Sequence, residues 1–244
     1  MTSTLLILKT GSTFPSLASA HGDFEDWIQQ GLGTSPFPIQ VVDARHEPIP
    51  EPQSLAGVVI TGSHAMVSER EAWSEKAAAW LRTAVQAQLP VLGICYGHQL
   101  LAHCLGGAVG YHPQGIEIGS VDVRLQPTAA TDPLLRTLPQ AFPAHVVHKQ
   151  SVRTLPEGAV LLAGNAHEPH QAFRVGPAAW GVQFHPEFSP AAMRGYIQQL
   201  SPELRDDGHD PATLEAGVID TPVAASVLQN FMRFVQQGQA RAFA

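Results

Sequence analysis

Short apolar runs alternate with helical periodicity through the first hundred residues. Positions 5–9, 39–43, 57–61 and 91–94 concentrate Leu, Ile and Val, the mark of strands buried on both faces of a parallel sheet. Between them, 24–30 and 68–88 have helical composition. In the second, Trp73, Ala77, Trp80, Leu81, Ala84 and Val85 recur at spacings of three and four, while Glu69, Arg70, Glu75 and Lys76 lie mostly off that face. Strand, helix, strand in repetition predicts an α/β fold around a doubly wound, mostly parallel sheet. From about residue 116 the pattern changes. Segments 116–125, 159–163, 171–175 and 180–184 are strand-like with turn residues between them, which predicts antiparallel strands added to one side of the core. Helices are predicted over 190–200 and 222–237, the latter with Val223, Val227, Phe231 and Phe234 on one face. The intervening 201–220, rich in Pro, Asp and Gly, reads as an exposed loop.

The 244 residues, 44% of them hydrophobic, suit a single domain over 1–244. Charge narrows the partners: 14 Lys and Arg against 21 Asp and Glu give a net charge of −7. Without a basic block, neither nucleic acid nor a membrane surface is an expected partner. No stretch approaches the ~20 apolar residues of a membrane span, and the N-terminus has no basic region or long apolar core of a secretion signal. Two cysteines cannot build a disulfide scaffold and fit a cytoplasmic setting. Twelve histidines raise the question of a metal. His98 and His103 point to different helix faces, and His145/His148 and His167/His170 are i, i+3 pairs in loops or strands. None has the i, i+4 helical spacing with a nearby acid of a zinc hydrolase, so no metal and no cofactor is expected.

The most informative segment is Pro90-Val91-Leu92-Gly93-Ile94-Cys95-Tyr96-Gly97-His98-Gln99. A buried strand ends at Cys95 and a helical pattern begins at once, which is a G-x-nucleophile-x-G elbow with Cys in the nucleophile position. At a helix N-terminus, unpaired N–H groups and the dipole favour thiolate over thiol. A lone Cys after a strand is otherwise a small core residue, and Cys104 is read that way. It lies about 13 Å further along the helix, beyond the roughly 7 Å limit of a disulfide.

A thiol nucleophile needs a base that also protonates the leaving group, and that base needs an orienting partner. Gly181-Val182-Gln183-Phe184-His185-Pro186-Glu187 supplies both. In extended chain, residues i and i+2 project to one side, so His185 and Glu187 can meet. A third element, Val58-Val59-Ile60-Thr61-Gly62-Ser63-His64, is a strand emptying into a Gly-Ser turn. Its backbone N–H groups could face an oxyanion together with that of Tyr96; otherwise it is a plain strand-to-helix turn.

In this order and spacing, the three pieces resemble the class I (triad) glutamine amidotransferase family, most of all the glutaminase of its GMP synthase branch. The resemblance runs from the first strand to about Ser189. It implies a flavodoxin-like core and a Cys95–His185–Glu187 triad that hydrolyses the side-chain amide of glutamine through a γ-glutamyl thioester. By the same likeness Ser63 and Tyr96 are the backbone oxyanion donors, and Gly62 and Gln99 belong to the substrate site. The segment Val147-His148-Lys149-Gln150-Ser151-Val152 falls where the family holds the amino-acid end of glutamine, which adds His148 and Gln150. Lys149 and Gln150 depart from the small and acidic residues of synthetase-linked members. No phosphate-binding loop of the G-x-x-x-x-G-K-[ST] type is present up to Ala244, so a synthetase acting in trans is the expected acceptor of ammonia. His98 and the continuation Leu100-Leu101-Ala102-His103-Cys104-Leu105 look more like stand-alone members, which include γ-glutamyl peptidases. Two alternatives therefore stand beside glutamine hydrolysis: a γ-glutamyl peptidase with the same triad, and a catalytically idle regulatory domain.

Overall fold

The computed structural model describes residues 3–242, with side chains through residue 238. β1 (Thr4–Lys9) leads through α1 (Pro15–His21) and α2 (Phe24–Leu32) to β2 (Ile39–Asp43) and β3 (Leu55–Ile60), followed by α3 (Ala72–Gln86), β4 (Val91–Ile94) and α4 (Tyr96–Cys104). The second half holds β5 (Ala108–Tyr111), β6 (Glu117–Leu125), β7 (Ala141–His148), β8 (Gln150–Thr154), β9 (Val160–Gly164), β10 (Ala172–Val175) and β11 (Ala179–Val182). It closes with α5 (Pro190–Gln199), α6 (Ser201–Asp206), α7 (Pro211–Ala216) and α8 (Pro222–Ala242).

Nine strands make one sheet in the order β2-β1-β3-β4-β11-β10-β9-β6-β7, and β5 pairs with β8 separately. From β2 to β11 the strands are parallel, which is the 2-1-3-4-5 order of flavodoxin-like folds. Beyond β11 the sheet continues antiparallel. The continuous apolar runs follow from helices on both faces. Leu5 and Ile7 of β1 pack with Ile28 of α2 and Val227 and Phe231 of α8, whereas Leu6 and Leu8 pack with Ala77 and Leu81 of α3 and Leu101 of α4. Successive residues of one strand thus serve opposite cores. Along α8, Val227 and Phe231 are fully buried, with Val223 and Phe234 partly buried against the same cluster.

Segment 201–220 is not a loop. It contains α6 and α7, and Leu204, Pro211 and Val218 are buried. The residues that read as loop formers begin and end these helices instead. Pro202 and Pro211 sit in first turns, Asp210 accepts from the Ala212 N–H, and Gly208 takes φ 83° between the helices. The predicted helix 68–88 begins only at Ala72, after a 3₁₀ turn and Arg70 in the left-handed region. α1 buries a single residue, Leu17, and so has no periodicity to read. β7 contains Pro143 and two histidines, which an edge strand accommodates.

Candidate active site

β4 ends at Ile94 and α4 starts at Tyr96, so Cys95 alone makes the turn, at φ 50° and ψ −98°. For a residue with a side chain this is a strained backbone. The flanking glycines admit it: a Cβ on Gly93 would collide with the Gly97 carbonyl, and one on Gly97 would lie 2.7 Å from the Ile60 carbonyl oxygen. The turn stands at the carboxyl edge of the parallel strands, where doubly wound sheets bind ligands. The Cys95 N–H donates to the Val182 carbonyl of β11 at 2.9 Å. The chain ends carrying Cys95 and His185 are therefore neighbours in the sheet. Cys95 is buried, with Sγ 3.7 Å from the Val147 carbonyl oxygen.

His185 lies three residues beyond β11 and is fixed on three sides. Its Nδ1 is 2.7 Å from Glu187 Oε1, its backbone N–H donates to the His145 carbonyl at 2.8 Å, and its ring stacks on Phe188 with centroids 4.1 Å apart. A carboxylate only accepts, so Nδ1 carries the hydrogen. Nε2 has no hydrogen-bond partner among the described residues. Gly62 lies against both reacting groups: a Cβ there would be 3.1 Å from His185 Cε1 and 3.8 Å from Cys95 Cβ. Burial pushes the His185 pKa down, but the Glu187 carboxylate and Cys95 push it up more strongly, to about 10.

A cavity of about 240 Å³ opens at Cys95, and Ser63, Tyr96, Gln99, His148, Gln150 and His185 all reach its wall. The backbone N–H of Tyr96 opens α4, where helix geometry leaves it without an internal partner. The Tyr96 phenol serves packing instead, bonded to Ser74 Oγ at 2.6 Å and stacked on Trp73. Ser63 Oγ donates to the Thr10 carbonyl and accepts from the Ala65 N–H, which fixes the turn and leaves the Ser63 amide as its group for a ligand. Gln99, His148 and Gln150 form one cross-linked wall. Gln99 Nε2 donates to the Gln150 carbonyl at 2.8 Å and to Gln183 Oε1 at 2.9 Å. His148 is held by the Gln150 carbonyl and by Glu117, and the Gln150 amide clamps Ser68. Much of their hydrogen-bonding capacity is spent within the protein, on the Gln150 carbonyl, Gln183, Glu117 and Ser68.

The family profile described as glutamine amidotransferase class-I matches residues 18–200, most of the chain. The chain belongs to the class-I glutamine amidotransferase family. Among curated proteins it is similar to the glutamine-hydrolyzing GMP synthase of Porphyromonas gingivalis, 35% identical over 142 residues, covering 57% of this chain and 26% of that one. The glutamine-hydrolyzing GMP synthase of Thermomicrobium roseum is 31% identical over 198 residues, covering 72% and 36%. The chain thus spans roughly a quarter to a third of these relatives' length. A glutamine amidotransferase of Thermotoga maritima shares the fold with a TM-score of 0.75 at 21% identity, over 96% of this chain and 99% of that one. A glutamine amido transferase of Methylobacillus flagellatus does so with a TM-score of 0.67 at 24% identity, over 99% and 94%.

Several residues of this amidotransferase site carry no sequence signal. Glu117 is buried behind the cavity and accepts from His148 Nε2 at 2.8 Å, Asn165 at 2.7 Å and Gln171 at 3.0 Å. Burial alone would raise its pKa, but His148 and Asn165 hold it below the usual carboxylate range. Phe14, Phe24, His64 and Tyr196 form a second wall; Phe24 and Tyr196 come from predicted helices and His64 from the Gly-Ser turn, while Phe14 lies outside every predicted element. Cys104 is buried in α4 with its thiol pushed up to about 12 by burial, as packing requires. Among the described residues, no three His, Cys, Asp or Glu side chains converge as a metal-binding group, and no helix is long and apolar enough to cross a membrane.

Proposed function

We propose that the chain hydrolyses the side-chain amide of glutamine through a Cys95–His185–Glu187 triad. The observation that carries this is the 2.7 Å contact of His185 Nδ1 with Glu187, next to a cysteine on a strained elbow at the adjoining strand end. With the proton of the Cys95–His185 pair on the imidazole, the sulfur attacks the amide carbon. The developing oxyanion meets the N–H groups of Tyr96 and Ser63. Nε2 then gives its proton to the departing ammonia, leaving a γ-glutamyl thioester on Cys95. Water, deprotonated by the same nitrogen, attacks the thioester and releases glutamate. Glu187 holds the ring in the tautomer this traffic needs. The Gln99–His148–Gln150 wall faces the glutamyl portion, and Gly62 leaves room for the imidazole.

The relatives' names couple glutamine hydrolysis to GMP synthesis, which supports a synthetase as the acceptor of ammonia. The test is glutamate release from glutamine, with and without candidate synthetases. Wild type is expected to release glutamate and Cys95→Ala to release none. Equal release by the two proteins would refute the proposal.

A further inference from the structure

The two walls of the cavity differ in kind. On the β7–β8 side stand His148, Lys149 and Gln150, with Gln99 of α4 beside them and Val147 the apolar residue among them. The other side is a chain of rings that begins at the proton donor itself. Phe24 lies parallel to the His185 imidazole at 6.5 Å, His64 meets Phe24 edge-on at 6.5 Å, and Phe14 meets His64 at 4.6 Å and Tyr196 at 5.1 Å. His64 is exposed and Phe14 half-buried, so this wall continues from the imidazole to the mouth of the cavity. In the proposed mechanism the amine leaves on the side of the imidazole that protonates it. Ammonia needs no such surface.

The wall is preorganised. Asp23 Oδ1 accepts the backbone N–H of Thr13 at 2.7 Å and that of Phe24 at 2.8 Å, and Lys9 Nζ holds Oδ2 at 2.8 Å. One half-buried ion pair thereby fixes the segments that carry Phe14 and Phe24. Thr13 Oγ1 further donates to the Tyr196 hydroxyl, which bonds to His64 Nε2 at 3.0 Å. No Asp or Glu side chain lines the cavity among the described residues. A cationic substituent on the amine would find no carboxylate along the cavity, and Lys149 across it is paired with Glu203.

We infer that the site accepts γ-glutamyl amides whose amine carries a neutral aromatic or other apolar substituent, and prefers them to amides with a short or cationic one. This rests on the triad acting as proposed. The substituted amide reacts as glutamine does: the C–N bond breaks, the amine departs with the proton from His185 Nε2, and water converts the thioester to glutamate. One water is consumed and one amine released per turnover.

The experiment compares kcat/KM for γ-glutamylbenzylamide, γ-glutamylethylamide, γ-glutamyl(2-aminoethyl)amide and glutamine, with Cys95→Ala as the blank. The benzylamide is expected to exceed the ethylamide about tenfold, as aromatic contact of this kind allows, and the aminoethyl amide to be the poorest of the three. In Phe14→Ala the benzyl-to-ethyl ratio is expected to fall towards one, chiefly through KM. A wild-type ratio of one or less, with glutamine turned over, overturns the inference and leaves the triad standing. So does an unchanged ratio in a folded Phe14→Ala protein. Failure of all four substrates would instead refute the triad, and the inference with it.

Discussion

His185 is a buried imidazole whose charge is set by its neighbours. Burial alone would deprotonate it, and the carboxylate 2.7 Å away together with Cys95 reverses that effect, leaving a pKa near 10. The sign has a kinetic consequence. In the proposed mechanism rising pH removes the proton that reaches the leaving amine, so turnover is expected to hold through neutrality and fall as pH passes about 10. Glu187→Gln removes the largest favourable charge. Its alkaline limb is expected to move to lower pH and its kcat to drop on the order of 10³-fold or more. A pH–rate profile of both proteins checks this, and an unmoved limb would deny Glu187 its role. Cys95, His185 and Glu187 were legible in sequence because two short motifs contain them. Glu117 was not, since a lone Glu at the start of a strand carries no pattern; only folding brings His148, Asn165 and Gln171 to it.

The elbow between β4 and α4 stores strain in one residue. Cys95 at φ 50° lies where glycine is at ease and a side chain is not. Ala at the same position removes the thiol and keeps the strain, whereas Gly removes both. Cys95→Gly is therefore expected to be more stable than Cys95→Ala by about 1 kcal/mol or more, read from their thermal melts. Equal or reversed stabilities would mean that the backbone there is relaxed. The buried strands of the parallel half were readable because both faces are dry, so their apolar runs are unbroken. The antiparallel half was harder. β7, with Pro143 and histidines in an edge strand, has no clean alternation, and α6 and α7 hide behind the Pro, Asp and Gly residues that cap them.

At the scale of the whole molecule, the 2-1-3-4-5 parallel strands set Cys95 and His185 at one edge, and α4 with the β7–β8 segment supplies the cavity's polar residues. The order of motifs along the chain foreshadowed the first arrangement. The aromatic wall was hidden because it joins Phe14 and Phe24 near the start of the chain to His64 and to the distant Tyr196, with a salt bridge between Lys9 and Asp23 behind it. The proposed chemistry turns on Cys95 being the nucleophile. The most direct measurement is peptide mapping after exposure to the electrophilic glutamine analogue diazo-oxo-norleucine. A single stoichiometric adduct on Cys95, absent from Cys104 and abolished in His185→Ala, is the result the structure predicts. An unlabelled Cys95, or labelling of Cys104 in its place, would contradict it.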